Sequence, residues 1–381
     1  MDPLRHVKPA VRALSAYTLA ERTAAVKIDQ NENPRDLPER LKRRVLEQAL
    51  ARPWSRYPPF DPAELTAALA HHAGWKPDGV LAGNGSNELI EALLMVTVGQ
   101  GTRIVIPEPT FSLYALLAAI LGAEIQRVPL VRAAPAVSRD DSPAAPGPFV
   151  YDAPAIAAAR RRSAAPLTIV CSPNNPTGSS LPLAELERLC GEGDGLVVID
   201  EAYHEFAGSS AAPLLERHPN LVVLRTFSKA QALAGLRIGY LLASPELVRE
   251  VNKARLPYNL NLFSQIAALA ALEEHGLAGE EVGALVAERE RLLALLGDVP
   301  GVRAHASDAN FFLLELASAD PKAVFAGLLR RGVLVRDVTA YPQLERCLRV
   351  SVGSREENDS FLHALGAALY ESGTLTTDNH A

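Results

Sequence analysis

Short aliphatic runs alternate with helix-period segments from Val80 onward, and no other feature narrows the possible folds as much. Leu81-Ala82 leads into GNGSNELIEALLMVTV (Gly83 to Val98), where Ser86 or Asn87 can cap a helix beginning near Glu88. RIVIPEPTFSLYALLAAILGAEIQRVPL (Arg103 to Leu130) reads as strand, loop, helix, strand. LTIVCSPNNPTG, a helix from Pro182 and the strands LVVID and LVVL continue the series. Strands separated by helices pair in parallel through crossovers, which predicts a doubly wound α/β sheet. After Pro300, short strands (Phe311 to Leu316, Val333 to Arg336, Leu348 to Val352) alternate with helices and mark a second, α+β unit. An Ala/Leu/Glu-rich run from Ser264 to Leu296 reads as a long helix near the boundary. With 381 residues, 48% of them hydrophobic, the chain can bury two cores.

Other stretches exclude more than they assign. The first 29 residues, charged and aperiodic, read as an arm lying on another surface. Asp36 to Arg52 has helical spacing, RYPPFDP (Arg56 to Pro62) is a proline-stiffened loop, and a helix follows from Ala63 to His72. His71 and His72 are adjacent, which suits solvated side chains better than a metal pair. Val131 to Pro166, rich in Ala and Pro with a basic cluster at Arg160 to Arg162, reads as a loop plus a short helix without chemistry. A net charge of −6 argues against nucleic acid. Cys171, Cys190 and Cys347 have neither metal-ligand spacing nor a disulfide framework, so a reducing compartment is expected, with Cys171 packed as a small buried residue. Leu113 to Ala123 is too short to cross a bilayer and the N-terminus lacks a signal pattern, so the expected location is cytoplasmic.

Chemistry gathers where strands end. Lys229 lies between the strand LVVL and an Ala/Gly-rich turn, with Thr226, Ser228 and Arg237 offering donors to a phosphate. Desolvation or neighbouring cations lower an amine's pKa and make it a nucleophile toward carbonyls; the plainer alternative is a solvated loop lysine. GNGS (Gly83 to Ser86) opens a helix whose amides and dipole suit a phosphate, although a simple glycine turn looks the same. SPNNPTG (Ser172 to Gly178) holds Asn175 on an irregular turn, or is only a rigid connection. In VVIDEAYHEF, Asp200 ends a buried strand, where a carboxylate needs a cation. A protonated pyridine nitrogen is such a cation, and Tyr203 can reach the phenolate oxygen of the same ring. Glu201 and Glu205 read as solvated neighbours. The Asp-Glu pair also suits Mg²⁺, but no Walker lysine motif accompanies it. A phosphate, a basic ring nitrogen and an aldehyde facing an amine together describe pyridoxal 5′-phosphate.

These motifs, with NENP (Asn31 to Pro34), RYP (Arg56 to Pro58), PTFSLY (Pro109 to Tyr114), RTFSKAQALAGLRIGY, PYNLN (Pro257 to Asn261), GVLVRD (Gly332 to Asp337) and LRVSVG (Leu348 to Gly353), span nearly the whole chain. They resemble the fold-type I pyridoxal-phosphate-dependent aminotransferases, and among them the histidinol-phosphate aminotransferase family. The resemblance implies a large domain with a mostly parallel, doubly wound sheet (30–270), a smaller α+β C-terminal domain (271–381) and an N-terminal arm (1–29) packed nearby. It implies that Lys229 carries the cofactor as a Schiff base and moves the proton, that Asp200 pairs with the pyridine nitrogen, and that Asn175 and Tyr203 contact the ring oxygen. Phe111 would stack on the ring. Gly85, Ser86, Asn87, Ser228 and Arg237 would hold the phosphate, with Tyr57 of a neighbouring subunit, so that a homodimer is required. Arg349 would bind a substrate carboxylate, and Arg336, Tyr17, Tyr258 and Asn33 the substrate phosphate end. Two departures stand out: LSAYTLAER around Tyr17 lacks the prolines usual there, and Gln231 replaces a phenylalanine.

The implied reaction exchanges an amino group between histidinol phosphate with 2-oxoglutarate and imidazole acetol phosphate with glutamate, a step of histidine biosynthesis. An aromatic amino acid transaminase would share every cofactor residue. A threonine-phosphate decarboxylase shares the fold and phosphate recognition. A non-catalytic binding or regulatory protein is the remaining class, against which intact Lys229, Asp200 and Tyr203 speak.

Overall fold

The computed structural model describes residues 2–16, 18, 21–133 and 147–372. Seven strands build the central sheet: β1 (Val80–Gly83), β2 (Arg103–Glu108), β3 (Glu124–Pro129), β4 (Leu167–Cys171), β5 (Leu196–Asp200), β6 (Leu221–Thr226) and β7 (Gly239–Leu242). Their spatial order is β1-β7-β6-β5-β4-β2-β3. The pairings from β3 through β6 are parallel, while β7 runs antiparallel between β1 and β6. Side chains alternate between the two faces of a strand. Ile104, Ile169, Val198, Val222 and Leu241 accordingly share one core, and their sequence neighbours Val105, Val170, Val197, Val223 and Leu242 share another. Helices cover both faces, which is why these strands are apolar at successive positions rather than at alternate ones.

A second, antiparallel sheet has the order β8 (Val302–Ala304), β9 (Phe311–Leu316), β11 (Cys347–Ser351), β10 (Arg336–Asp337). Phe311, Phe312, Val350 and Phe361 anchor its core. Val26–Lys27, at the end of the expected arm, pairs in parallel with Val333–Leu334.

Three local expectations change. The helix after β1 is Ser86–Thr97, capped by Gly85 rather than by Ser86 or Asn87, because Gly85 takes the left-handed φ of 78° that turns the chain. The single helix expected from Ser264 to Leu296 is two, Leu262–Glu273 and His275–Gly297, parted where Glu274 leaves helical geometry (φ −113°, ψ 34°). Within Val131 to Pro166, Val131–Arg132 pairs with Phe149–Val150 ahead of helix Ala153–Ser163, and Arg160 is buried, donating to the carbonyls of Leu189 and Gly195; residues 134–146 of that stretch lie outside those described. Among the described residues, no helix is long and apolar enough to cross a membrane.

Candidate active site

The loops singled out in the sequence converge at the carboxyl ends of the parallel strands, where ligands of open α/β sheets bind. Because β7 is antiparallel it starts at that same edge, which carries Arg237 into the group. Gly239 permits this approach: a Cβ there would stand 2.3 Å from the Ser86 amide nitrogen. The resulting cavity, of about 260 Å³, is lined by Ser86, Asn87, Phe111, Asn175, Asp200, Tyr203, Ser228, Lys229, Arg237, Arg336 and Arg349 of the expected set.

At one end lies an anion cradle. Arg237 donates to the Ser228 hydroxyl at 3.0 Å. Ser86 and Asn87 open the helix, in the turn whose backbone N–H groups have no intrahelical acceptor. Gly85 serves this cradle by shape, since its own amide donates to the Gly83 carbonyl at 2.8 Å. A Cβ on Gly85 would stand 2.6 Å from an Arg237 guanidinium nitrogen.

At the other end is Asp200, 4% exposed. Tyr114 donates to one carboxylate oxygen at 2.5 Å and the Ala202 amide to the other at 3.1 Å. Burial nonetheless raises its pKa to about 6, against the pull of those two bonds. Asp200 lines the cavity, so a cation bound there would stabilise its carboxylate.

Lys229 stands between the two ends. Its amine donates to the Gln30 carbonyl at 2.8 Å, and burial with Arg349 nearby lowers its pKa to about 7. Much of it is therefore neutral at physiological pH, as a nucleophile or a base requires. Arg349 donates to the Asn175 side-chain oxygen at 2.6 Å and to the Asp29 carbonyl. The adjacent Asn174 has the structural task in that turn, bonding Pro109, Thr177 and Thr110. Donors for an anionic phosphate at one end, an acid at the other and a poised amine between them match the set of groups that pyridoxal 5′-phosphate needs.

Other expected residues sit elsewhere. Asn33 lies in a neighbouring cavity, donating to the Ala230 carbonyl at 3.2 Å. Tyr57 and Tyr258 stack on each other outside this cavity, centroids 4.3 Å apart, and Tyr57 is 79% exposed. Tyr17 lies outside the described residues. Glu201, expected in solvent, is buried and ion-paired with Arg225 at 3.0 Å because strands β5 and β6 bring them together beneath the surface; Glu205 is partly buried beside His204. Tyr114, Asn31 and Tyr341 line the cavity without having been singled out. Tyr114 was legible in principle, since it falls within one helical turn of Phe111. Asn31 belongs to NENP, but its role depends on contacts with residues about 170 and 320 positions away, which no local pattern reveals.

The aminotransferase class I and II family model matches residues 23–365. The histidinol-phosphate aminotransferase of Chlorobaculum tepidum is 42% identical over 361 residues, 94% of this chain and 99% of that protein. Its namesake in Desulfitobacterium hafniense is 37% identical over 363 residues, 95% and 97% of the two chains. Among solved structures, histidinol-phosphate aminotransferase from Sinorhizobium meliloti, in complex with pyridoxal-5′-phosphate, aligns with a TM-score of 0.83 at 26% identity, covering 96% of this chain and 98% of that one. L-threonine-O-3-phosphate decarboxylase from Porphyromonas gingivalis, at 23% identity, covers 91% of this chain and 99% of that one with a TM-score of 0.76, which speaks for the fold alone.

Proposed function

The chain belongs to the aminotransferase class I and II family and, within it, to the histidinol-phosphate aminotransferases, and from that premise we propose that it exchanges an amino group between histidinol phosphate and 2-oxoglutarate with pyridoxal 5′-phosphate as cofactor. When bound, the cofactor supplies an aldehyde that takes up the amino group and an electron-poor ring that makes the substrate's α-proton acidic. Asp200 would hold the ring nitrogen protonated, while Ser86, Asn87, Ser228 and Arg237 would hold the phosphate. Phe111 would cover one ring face. Tyr203 and Asn175 would address the ring oxygen. The Lys229 amine, with its lowered pKa, would take the proton from the substrate α-carbon and deliver it to the carbon on the far side of the amino nitrogen, the former aldehyde carbon of the cofactor.

The observation that carries the substrate reading is a pair of cations. Arg336 and Arg349 are directly opposite each other on the antiparallel strands β10 and β11, and both line the cavity. Like charges so placed repel unless an anion meets them. Guanidinium pairs suit carboxylate and phosphate oxygens, which fits glutamate in one half-reaction and a phosphorylated substrate in the other. A neutral aromatic side chain would leave Arg336 without that partner.

Tyr57, Trp54, Leu50 and Leu256 are all more than 60% exposed, an apolar surface that supports a homodimer in which Tyr57 reaches the partner's phosphate cradle. We propose a large domain at residues 30–270 and a small one at 271–381; the largely separate cores of the two sheets and a helix break a few residues further on, at Glu274, support a division in this region. Three buried free cysteines suit a reducing, cytoplasmic setting.

Steady-state rates with 2-oxoglutarate test the reading. Histidinol phosphate should be the preferred amino donor over phenylalanine, and O-phosphothreonine should yield no carbon dioxide. Preference for phenylalanine, or carbon dioxide release, would overturn it.

A further inference from the structure

Asn31 is 1% exposed and has a left-handed φ of 54°, a conformation asparagine tolerates better than most residues. The Asn31 backbone N–H donates to the Ser351 hydroxyl oxygen at 2.9 Å. That hydroxyl in turn donates to the Asn31 side-chain oxygen, also at 2.9 Å. The other end of the amide is therefore the NH₂ group, and it donates to the Tyr203 hydroxyl oxygen at 3.0 Å. The Asn310 side chain donates to the Asn31 carbonyl at 3.1 Å and locks the backbone in place.

We propose that Asn31 is a positioning residue: a polarised chain running from its backbone amide through Ser351 and its own side chain forces the Tyr203 hydroxyl proton into the active-site cavity. Tyr203 accepts from Asn31 and so must donate elsewhere, and the cavity side is where the cofactor's ring oxygen is expected. The inference rests on the cofactor reading above. Ser351 is two residues from Arg349 on strand β11, so the same chain ties the substrate-binding strand to the ring-oxygen contact. The charged and titratable groups around Tyr203 include Arg349, Cys171 and Asp200, with the Lys229 amine 5.8 Å from its ring centroid; those around Lys229 include Arg349, Glu32, Arg237 and Lys27.

A hydrogen bond donated to the ring oxygen stabilises the form of the bound cofactor that has lost a proton, so removing the donor raises the pH at which its absorption spectrum changes. Asn31→Gly keeps the backbone conformation and deletes the amide. Asn31→Asp keeps the shape but presents an acceptor to Tyr203 and draws its proton away from the cavity. A group that merely filled space would be preserved by aspartate. Both variants should move the spectral transition upward by about one unit or more, the worth of a charge-assisted hydrogen bond. Tyr203→Phe should move it similarly, and Asn31→Gly combined with Tyr203→Phe should add little further. Ser351→Ala leaves Asn31 intact but unpins its amide, and should give a smaller upward shift even if the Asn31 variants fold poorly. Transitions within a few tenths of a unit of wild type in Ser351→Ala and in the foldable Asn31 variants would overturn the proposal and leave the cofactor reading standing. A wild-type protein that takes up no pyridoxal phosphate would overturn both.

Discussion

In the absence of cofactor, Lys229 and Asp200 are both uncomfortable in the folded chain, and linkage gives that discomfort a sign. The lysine's folded pKa of about 7 lies below its ordinary 10.5, so the unfolded chain binds more protons between those values. Stability of the cofactor-free protein should therefore rise with pH across that window, and Lys229→Met should flatten the rise and increase the melting temperature at pH 7. Asp200 has the opposite defect. Its folded pKa of about 6 exceeds the ordinary 3.8, so its contribution to stability falls as pH climbs through that interval. Asp200→Asn should stabilise the cofactor-free protein at neutral pH while weakening cofactor binding about 10- to 100-fold, as expected for loss of a charge-assisted hydrogen bond. Thermal melts with and without cofactor would check both. A cofactor-free Asp200→Asn variant less stable than wild type would show that the carboxylate is already satisfied by Tyr114 and Ala202.

Between strands, two arginine arrangements make different demands. Arg225 and Glu201 form a buried pair joining the ends of β5 and β6, the strands that deliver Asp200 and Lys229, and Ser210 completes it. Breaking one side of such a pair costs about 3–5 kcal/mol, so Arg225→Leu should lower stability sharply, as a denaturation midpoint would report. Arg336 lines the cavity without an ion-paired carboxylate among the described residues. Arg336→Ala should leave stability nearly unchanged but raise the KM for histidinol phosphate about 10- to 100-fold, more than it raises that for glutamate. Equal effects on both substrates would contradict its assignment to the phosphate.

The contrast also marks how far the sequence could be read. The buried strands and strand-end loops were legible because apolar runs and glycine turns are local signals, and the cavity gathers Lys229, Asp200, Tyr203, Asn175, Ser228 and Arg237 as those signals imply. Glu201 reads as solvated in the sequence because its partner lies 24 residues away across a strand pairing. The helix end at Glu274 is hidden in the sequence because Ala, Leu and Glu favour helix on either side of it.

At the scale of the whole molecule, the proposed contribution of Tyr57 from a neighbour would make the site complete only in a dimer. Mixed dimers of Lys229→Ala and Tyr57→Ala chains should then regain one intact site each, and a mixture more active than either variant alone would show it; no gain over the parents would place Tyr57 outside the partner's site. The proposed chemistry converges on one amine, that of Lys229. Borohydride reduction of the cofactor-loaded protein, followed by peptide mapping, tests it most directly. The expected result is a single stable pyridoxyl label on Lys229, lost in Lys229→Ala; a label on another lysine, or none, would contradict it.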